Sequence, residues 1–387
     1  MGRSMMRAWV ALVALLSCTG VWADDAKMPP PPKVAFNNYY VVDAVTGTVL
    51  AQSDADEAVP PASLTKLMTG YVVFEALRAG RIRLGDEVTV SEKAWKTGGT
   101  RMFIDLHSQV KVEDLVRGML IQSGNDASVA LAEHVAGSVP AFLVLMNERA
   151  TTLGMKSSTF KNTTGLPAKG HLSSAHDLAI LARAIISEFP EYYRLYAERE
   201  FSYNGITQQN RNALLRRDSS VDGMKTGHTA SAGYCIVSSA EREGMRLVTV
   251  VLGAETVKAR NDGALALLNY GFTNYETRKL FSAGQPLTSA ALRGGASAAL
   301  GLARDLYVTF PRGRYDALAA SMDVQTDLAA PLAPGATVGS VKVSLAGKPL
   351  SSRPLVALQG AEKAGVWDKI KDSVGGLWVG EAQAAPP

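Results

Sequence analysis

The sequence predicts an α/β (α+β) domain followed by a small all-β domain, and two changes of texture along the chain predict it. Over residues 34–274, strand-like runs rich in β-branched and aromatic residues stand at both ends of a stretch whose apolar positions recur every three or four residues. Beyond Tyr275 that helical period gives way to short alternating pieces punctuated by Pro-Arg-Gly and Ala-Pro-Gly turns, which reads as a β-sandwich domain over 275–361. A chain of 387 residues, 47% hydrophobic and 20% charged, suits about two domains with buried cores.

At the N-terminus, Arg3 and Arg7 precede an apolar run over 8–16 and the small-residue site Val21-Trp22-Ala23. This is the three-part pattern of a secretory signal peptide, with cleavage expected after Ala23. The run is far shorter than the roughly 20 residues a membrane span requires. A lipoprotein signal would use Cys18, but Leu16 fits that pattern poorly. Residues 24–33 form a Pro-rich leader, since four consecutive prolines favour extended, unpaired backbone.

Strands are expected over 39–43 and 48–50 around the turn at Gly47. From Pro61 the spacing of Leu64, Leu67, Met68, Tyr71, Val72 and Leu77 predicts a helix, with Gly80 where a C-terminal cap belongs. Further helices fit 112–121, 127–136, 139–153 and 175–187. Strands return at 233–239 and 247–252, a helix follows over 259–270, and the strands together are expected to form one mixed sheet. Over 362–381, Val366, Trp367, Ile370, Val374, Leu377 and Trp378 gather on one helical face opposite Asp368, Lys369, Lys371 and Asp372. That suits an amphipathic helix lying in a membrane interface. A helix packed on its own β domain is the alternative, and Gly375-Gly376 weakens either by about 1 kcal/mol per glycine.

The net charge of +4 is small and scattered, which argues against nucleic-acid binding. After signal cleavage Cys235 is the sole cysteine, so an intrachain disulfide is excluded; its apolar neighbours Tyr234, Ile236 and Val237 mark a buried, inert thiol. There is no paired-cysteine spacing, His-Glu-x-x-His or phosphate-cradling glycine loop, so neither metal nor cofactor is expected.

Three motifs carry chemistry. Ser63-Leu64-Thr65-Lys66 follows Pro60-Pro61, so the serine falls in the first turn of a helix and the lysine shares its face. A serine hydroxyl needs a base, and a lysine among Leu64, Leu67 and Met68 can be one if burial lowers its pKa. Ser123-Gly124-Asn125, at a turn between helices, offers a hydroxyl and a carboxamide that could relay a proton and hold a peptide amide; a helix cap is the plainer reading. Lys225-Thr226-Gly227-His228 immediately precedes the strand expected near Gly233. It sets a cation and a hydroxyl where a carboxylate could be met, beside a glycine permitting close approach.

Together and in this order, the three resemble the Ser-x-x-Lys, Ser-x-Asn and Lys-Thr-Gly elements of penicillin-binding proteins and serine β-lactamases. Gly154-Met155, the run Phe160-Lys161-Asn162-Thr163-Thr164-Gly165-Leu166, and Asp222-Gly223-Met224 ahead of the third motif resemble low-molecular-mass D-alanyl-D-alanine carboxypeptidases. The resemblance covers nearly the whole chain, the small β domain and C-terminal helix included. It implies a serine β-lactamase/DD-peptidase-like fold, removal of the terminal D-alanine from peptidoglycan stem pentapeptides, and covalent inhibition by β-lactams. It also implies a site on the periplasmic face of the cytoplasmic membrane, where the enzyme regulates cross-linking and cell shape.

By the same resemblance Ser63 is the nucleophile, Lys66 the general base and Ser123 the proton relay. Asn125 holds a substrate amide, while Lys225 and Thr226 serve the substrate carboxylate. Backbone N–H groups of Ser63 and His228 form the oxyanion hole, and the His228 ring is a less favoured participant. Arg260 either helps receive the terminal carboxylate or is a solvated helix-surface arginine; Asp177 is read as a structural helix-start charge. No obvious Glu-x-x-x-Asn element of the kind by which class A β-lactamases position a deacylating water stands between the second and third motifs, so rapid β-lactam hydrolysis is not expected. The competing readings are a β-lactamase or esterase on the same fold, and a catalytically slow scaffold whose β domain recruits wall-synthesis partners.

Overall fold

The structure, a computed structural model, describes residues 28–294 and 296–362. The expected signal peptide, residues 24–27 of the leader and, beyond Glu362, the expected amphipathic helix lie outside the described residues. The described chain divides into two compact units, one over Met28–Glu276 and the other from Thr277 onward.

In the first unit, strands β1 (Tyr39–Asp43), β2 (Val49–Ser53), β3 (Val221–Thr229), β4 (Gly233–Arg242) and β5 (Met245–Ala254) form one sheet in the order β2-β1-β5-β4-β3. Every pairing is antiparallel, which corrects the expected mixed sheet. The physical reason is connection length: β3, β4 and β5 follow one another through tight turns, and a tight turn can only reverse the chain. Alternation along β1 sends Tyr40 and Val42 to one core and Tyr39 and Val41 to another, so the sheet is buried on both faces.

One face packs on the helical layer that includes α1 (Thr65–Arg78), α2 (Asn125–Ala136), α3 (Val139–Leu153) and α4 (Ala175–Glu188); the other packs on α5 (Val257–Asn274). Every residue of α1 from Thr65 to Leu77 except Glu75 is buried, so it is a central helix packed nearly all round, and it carries Lys66 into the interior. The helix expected over 112–121 breaks into Val112–Arg117 and a π-turn over Gly118–Gln122.

The second unit is all-β. Strands β7 (Pro286–Ala291), β8 (Ser297–Gly301), β10 (Leu318–Val324), β11 (Thr337–Leu345) and β12 (Lys348–Ala357) pair in the order β7-β8-β12-β11-β10, and β6 (Tyr275–Phe281) pairs with β9 (Leu306–Pro311). Leu306, Val308 and Phe310 of β9 share a core with Leu300, Val341, Val343 and Leu355 of the larger sheet. The expected order of an α/β unit followed by an all-β unit is the order found.

Candidate active site

Ser63 sits in a single 3-10 turn, Ala62–Leu64, that feeds directly into α1. The turn begins at Ala62 with φ +47°, a left-handed conformation that costs a non-glycine residue about 1 to 3 kcal/mol and persists only where surroundings enforce it. Two glycines make room for it. A Cβ on Gly165 would lie 1.8 Å from the Ala62 carbonyl oxygen, and one on Gly227 would lie 3.0 Å from the Ser63 nitrogen. The serine turn is therefore pressed between the loop around 165 and strand β3.

Lys66 is fully buried, and its Nζ lies 3.1 Å from Ser63 Oγ, 2.7 Å from Asn125 Oδ1 and 2.6 Å from the Thr164 carbonyl oxygen. The Asn125 carboxamide is oriented by its own Nδ2, which donates to the Gly98 carbonyl at 2.7 Å, so Oδ1 faces the lysine. Both Oδ1 and the Thr164 oxygen can only accept. A neutral amine spends its two hydrogens on them, and its lone pair then points at the serine hydroxyl. Burial first, then the charge of Lys225, hold the Lys66 ammonium well below the ordinary lysine pKa; Asp126 pulls the other way, and Arg211 adds a smaller push downward.

Ser123 follows the π-turn with φ +72°, another left-handed non-glycine residue. Its Oγ is buried without a hydrogen-bond partner among the described residues. An orphaned buried hydroxyl costs stability, and such costs concentrate at functional sites. The neighbouring Asp126 carboxylate accepts from the backbone N–H groups of Met102 and Phe103, both at 3.0 Å, which ties the preceding loop to the start of α2.

The third motif precedes the strand that begins at Gly233, as expected, and also lies inside a strand of its own, which the sequence did not suggest. Lys225, Thr226, Gly227 and His228 all belong to edge strand β3 and pair with Val237, Ile236, Cys235 and Tyr234 of β4. The strand is hidden from pattern reading because Asp222, Gly223 and Lys225 interrupt its apolar alternation. As an edge, β3 leaves one side for an extended peptide. Lys225 is buried, its Nζ donates to the Thr226 carbonyl at 3.0 Å, and burial followed by the charges of Arg211 and Arg260 lowers its pKa to about 7.

The His228 ring is exposed and stacks on Tyr234 with centroids 4.0 Å apart. Arg260 is only 5% exposed and its Nε donates to Asn261 Oδ1 at 3.0 Å, which removes the solvated-surface alternative. Its buried charge acts on Lys225. Cys235 is fully buried, and burial pushes its thiol up to about 11. Asp177 accepts from the Ser157 N–H and Ser158 Oγ, both at 2.7 Å, near the start of α4, a structural role.

Sequence reading passed over Arg211, whose Nε donates to the Gln122 carbonyl at 3.2 Å and whose charge reaches both lysines, and the Thr164 carbonyl that fixes Lys66. Beside the serine turn opens a cleft of about 280 Å³ between Ala62, the 165–169 loop, Thr229 and Ser231.

Residues 25–256 match the family described as D-alanyl-D-alanine carboxypeptidase, and residues 275–363 match the domain described as penicillin-binding protein 5, C-terminal domain. The D-alanyl-D-alanine carboxypeptidase DacA of Escherichia coli K12 is 42% identical over 366 residues, covering 91% of either chain. A DacA of Haemophilus influenzae is 39% identical over 379 residues, covering 96% of either. Among solved structures, penicillin binding protein 5 of H. influenzae superimposes with TM-score 0.82 at 40% identity, covering 86% of this chain and 99% of that one. Penicillin-binding protein D2 of Listeria monocytogenes, solved in an ampicillin-bound form, gives 0.58 at 31% identity, covering 63% of this chain and 100% of that one.

Proposed function

The chain belongs to the D-alanyl-D-alanine carboxypeptidase family and is a serine-type D-Ala-D-Ala carboxypeptidase of the penicillin-binding kind, and from that premise we propose how its own residues divide the work. The observation that carries the assignment is the threefold setting of Lys66, whose two fixed acceptors leave one direction for its lone pair, the serine.

Ser63 Oγ attacks the carbonyl between the last two D-alanines as its proton passes to neutral Lys66. The oxygen charge that develops is met by the Ser63 and His228 N–H groups. Ser123 passes the proton to the departing amine; the C–N bond breaks, free D-alanine leaves, and the shortened stem stays esterified to Ser63. Water, deprotonated by the same lysine, then cleaves the ester. Lys225, with Thr226 and supported by Arg211 and Arg260, draws the substrate's terminal carboxylate to the β3 edge. Asn125, whose Oδ1 accepts from Lys66 and whose Nδ2 donates to Gly98, is assigned to aiming the lysine, and its second Nδ2 hydrogen is assigned to a substrate amide carbonyl.

Release of free D-alanine from a diacetyl-Lys-D-Ala-D-Ala tripeptide by protein lacking residues 1–23 tests this reading. Release must vanish with Ser63→Ala, and persistence in that variant would refute it.

The same reading includes the membrane. We propose export to the periplasmic face of the cytoplasmic membrane, on the signal-like N-terminus, and peripheral attachment through the amphipathic pattern of 362–381. If protein lacking residues 363–387 still fractionates with membranes, the anchor is wrong.

A further inference from the structure

His171 is buried at 3% exposure and lies outside the three motifs. Its Nδ1 is 3.0 Å from the Lys161 backbone nitrogen, and its Nε2 is 2.7 Å from Thr65 Oγ1. A backbone N–H only donates, so Nδ1 accepts, Nε2 carries the hydrogen, and the ring donates to the threonine. Thr65 Oγ1 passes its own hydrogen to the Ala62 carbonyl at 2.8 Å, an oxygen that also accepts the Thr65 N–H. The order of donors is thus Lys161 N–H, His171 ring, Thr65 hydroxyl, Ala62 carbonyl.

The end of that chain matters because the Ala62–Ser63 peptide is trans and planar. Its C=O and the Ser63 N–H point in opposite directions across one rigid unit, so whatever fixes the carbonyl fixes the N–H. We propose that His171 is a positioning residue that, through Thr65, aims the Ser63 N–H at the oxyanion. The inference rests on the reading of that N–H as an oxyanion donor. Ala62 lies in the left-handed region and would relax if released, and the Ala62 carbonyl oxygen occupies space that only a glycine at 165 leaves open.

His171 also joins the loop that begins at Lys161 to the nucleophile helix. Within that loop the Thr164 carbonyl meets Lys66, and the Thr163 carbonyl accepts from Thr69 Oγ1 at 2.8 Å. Burial and the nearby Lys161 charge lower the His171 pKa to about 4, so the ring stays neutral and keeps one donor and one acceptor. A glutamine offers the same pair separated by one carbon, whereas a leucine offers neither.

The test compares His171→Leu, His171→Gln and Thr65→Val with wild type in D-alanine release and in the rate of Ser63 acylation by benzylpenicillin, below each variant's melting temperature. Deleting an oxyanion donor outright costs about 100- to 1,000-fold, so misaiming one through His171→Leu should lower kcat and acylation roughly 10-fold. KM should stay near wild type, because the lost interaction belongs to the transition state. Thr65→Val should reproduce the loss and His171→Gln should recover most of it. Wild-type kcat in His171→Leu, or equal losses in His171→Leu and His171→Gln, would overturn the proposal even if melting temperatures fell. A failure of the underlying site assignment looks different: D-alanine would still be released by Ser63→Ala.

Discussion

Lys66 Nζ and Ser63 Oγ stand 3.1 Å apart, in a setting where the other two neighbours of the amine are acceptors that cannot take its lone pair. The amine is thus oriented before substrate arrives. Lys66→Arg keeps a cation but not a titratable one, since guanidinium stays protonated. D-alanine release and benzylpenicillin acylation should both fall by the roughly 100- to 10,000-fold typical of a lost general base. An arginine variant acylating within tenfold of wild type would show that Lys66 serves as a charge and not as a base.

The pH profile should report both buried lysines. Lys66 must be neutral to act, so kcat/KM rises as pH climbs through its depressed pKa, earlier than an ordinary lysine would allow. Lys225 must be charged to draw a carboxylate, so kcat/KM falls as pH passes about 7 in the free enzyme. In the substrate complex the carboxylate favours the ammonium, and the falling limb of kcat moves up. Arg211→Gln removes a charge acting on both lysines and should shift both limbs to higher pH. Profiles that overlay would take Arg211 out of the site's electrostatics.

Burying Lys225 costs stability, and the sign follows from its lowered pKa. Between about 7 and the unfolded value near 10.4, the unfolded chain holds a proton that the folded one has lost, so stability rises with pH across that window and the full penalty stands below it. Lys225→Met should therefore melt at least about 3 °C higher at pH 6 while losing activity. The gain should shrink as pH approaches 10. A variant that melts lower at pH 6 would mean that the bond to the Thr226 carbonyl outweighs the buried charge.

What was legible in the sequence was whatever a side chain does within one or two helical turns. Ser63 and Lys66 declare themselves because helix geometry joins positions three apart, and Gly80 declares a helix end, where it indeed has φ +67°. Edge strand β3 was not legible, because its residues answer to the site and break the alternation by which strands are recognised. Nor were the Thr164 carbonyl and Arg211: backbone oxygens leave no mark in a sequence, and Arg211 reaches Gln122 only through folding across a separation of 89 positions. His171 escaped for the same reason, its partner Thr65 lying 106 positions away.

Gly165 should be among the least replaceable residues of the site, for a reason that a control can isolate. An alanine there carries two costs: φ of +86°, worth about 1 to 2 kcal/mol for an L residue, and a Cβ placed 1.8 Å from the Ala62 oxygen and 2.8 Å from the Ser63 nitrogen. Gly170 lies in the same loop with φ +75°, but its Cβ would meet only the end of the Lys161 side chain at 3.6 Å. Gly170→Ala thus bears the dihedral cost alone and should keep its acylation rate with a modest fall in melting temperature. Gly165→Ala must also displace the Ala62–Ser63 peptide, because backbone cannot yield as a flexible side chain does. Its acylation by benzylpenicillin should fall at least about tenfold, the scale expected when an oxyanion donor is misaimed. If the two variants lose acylation equally, the contact between the 165 loop and the serine turn has no part in catalysis, and the pressure on the turn comes from β3 alone.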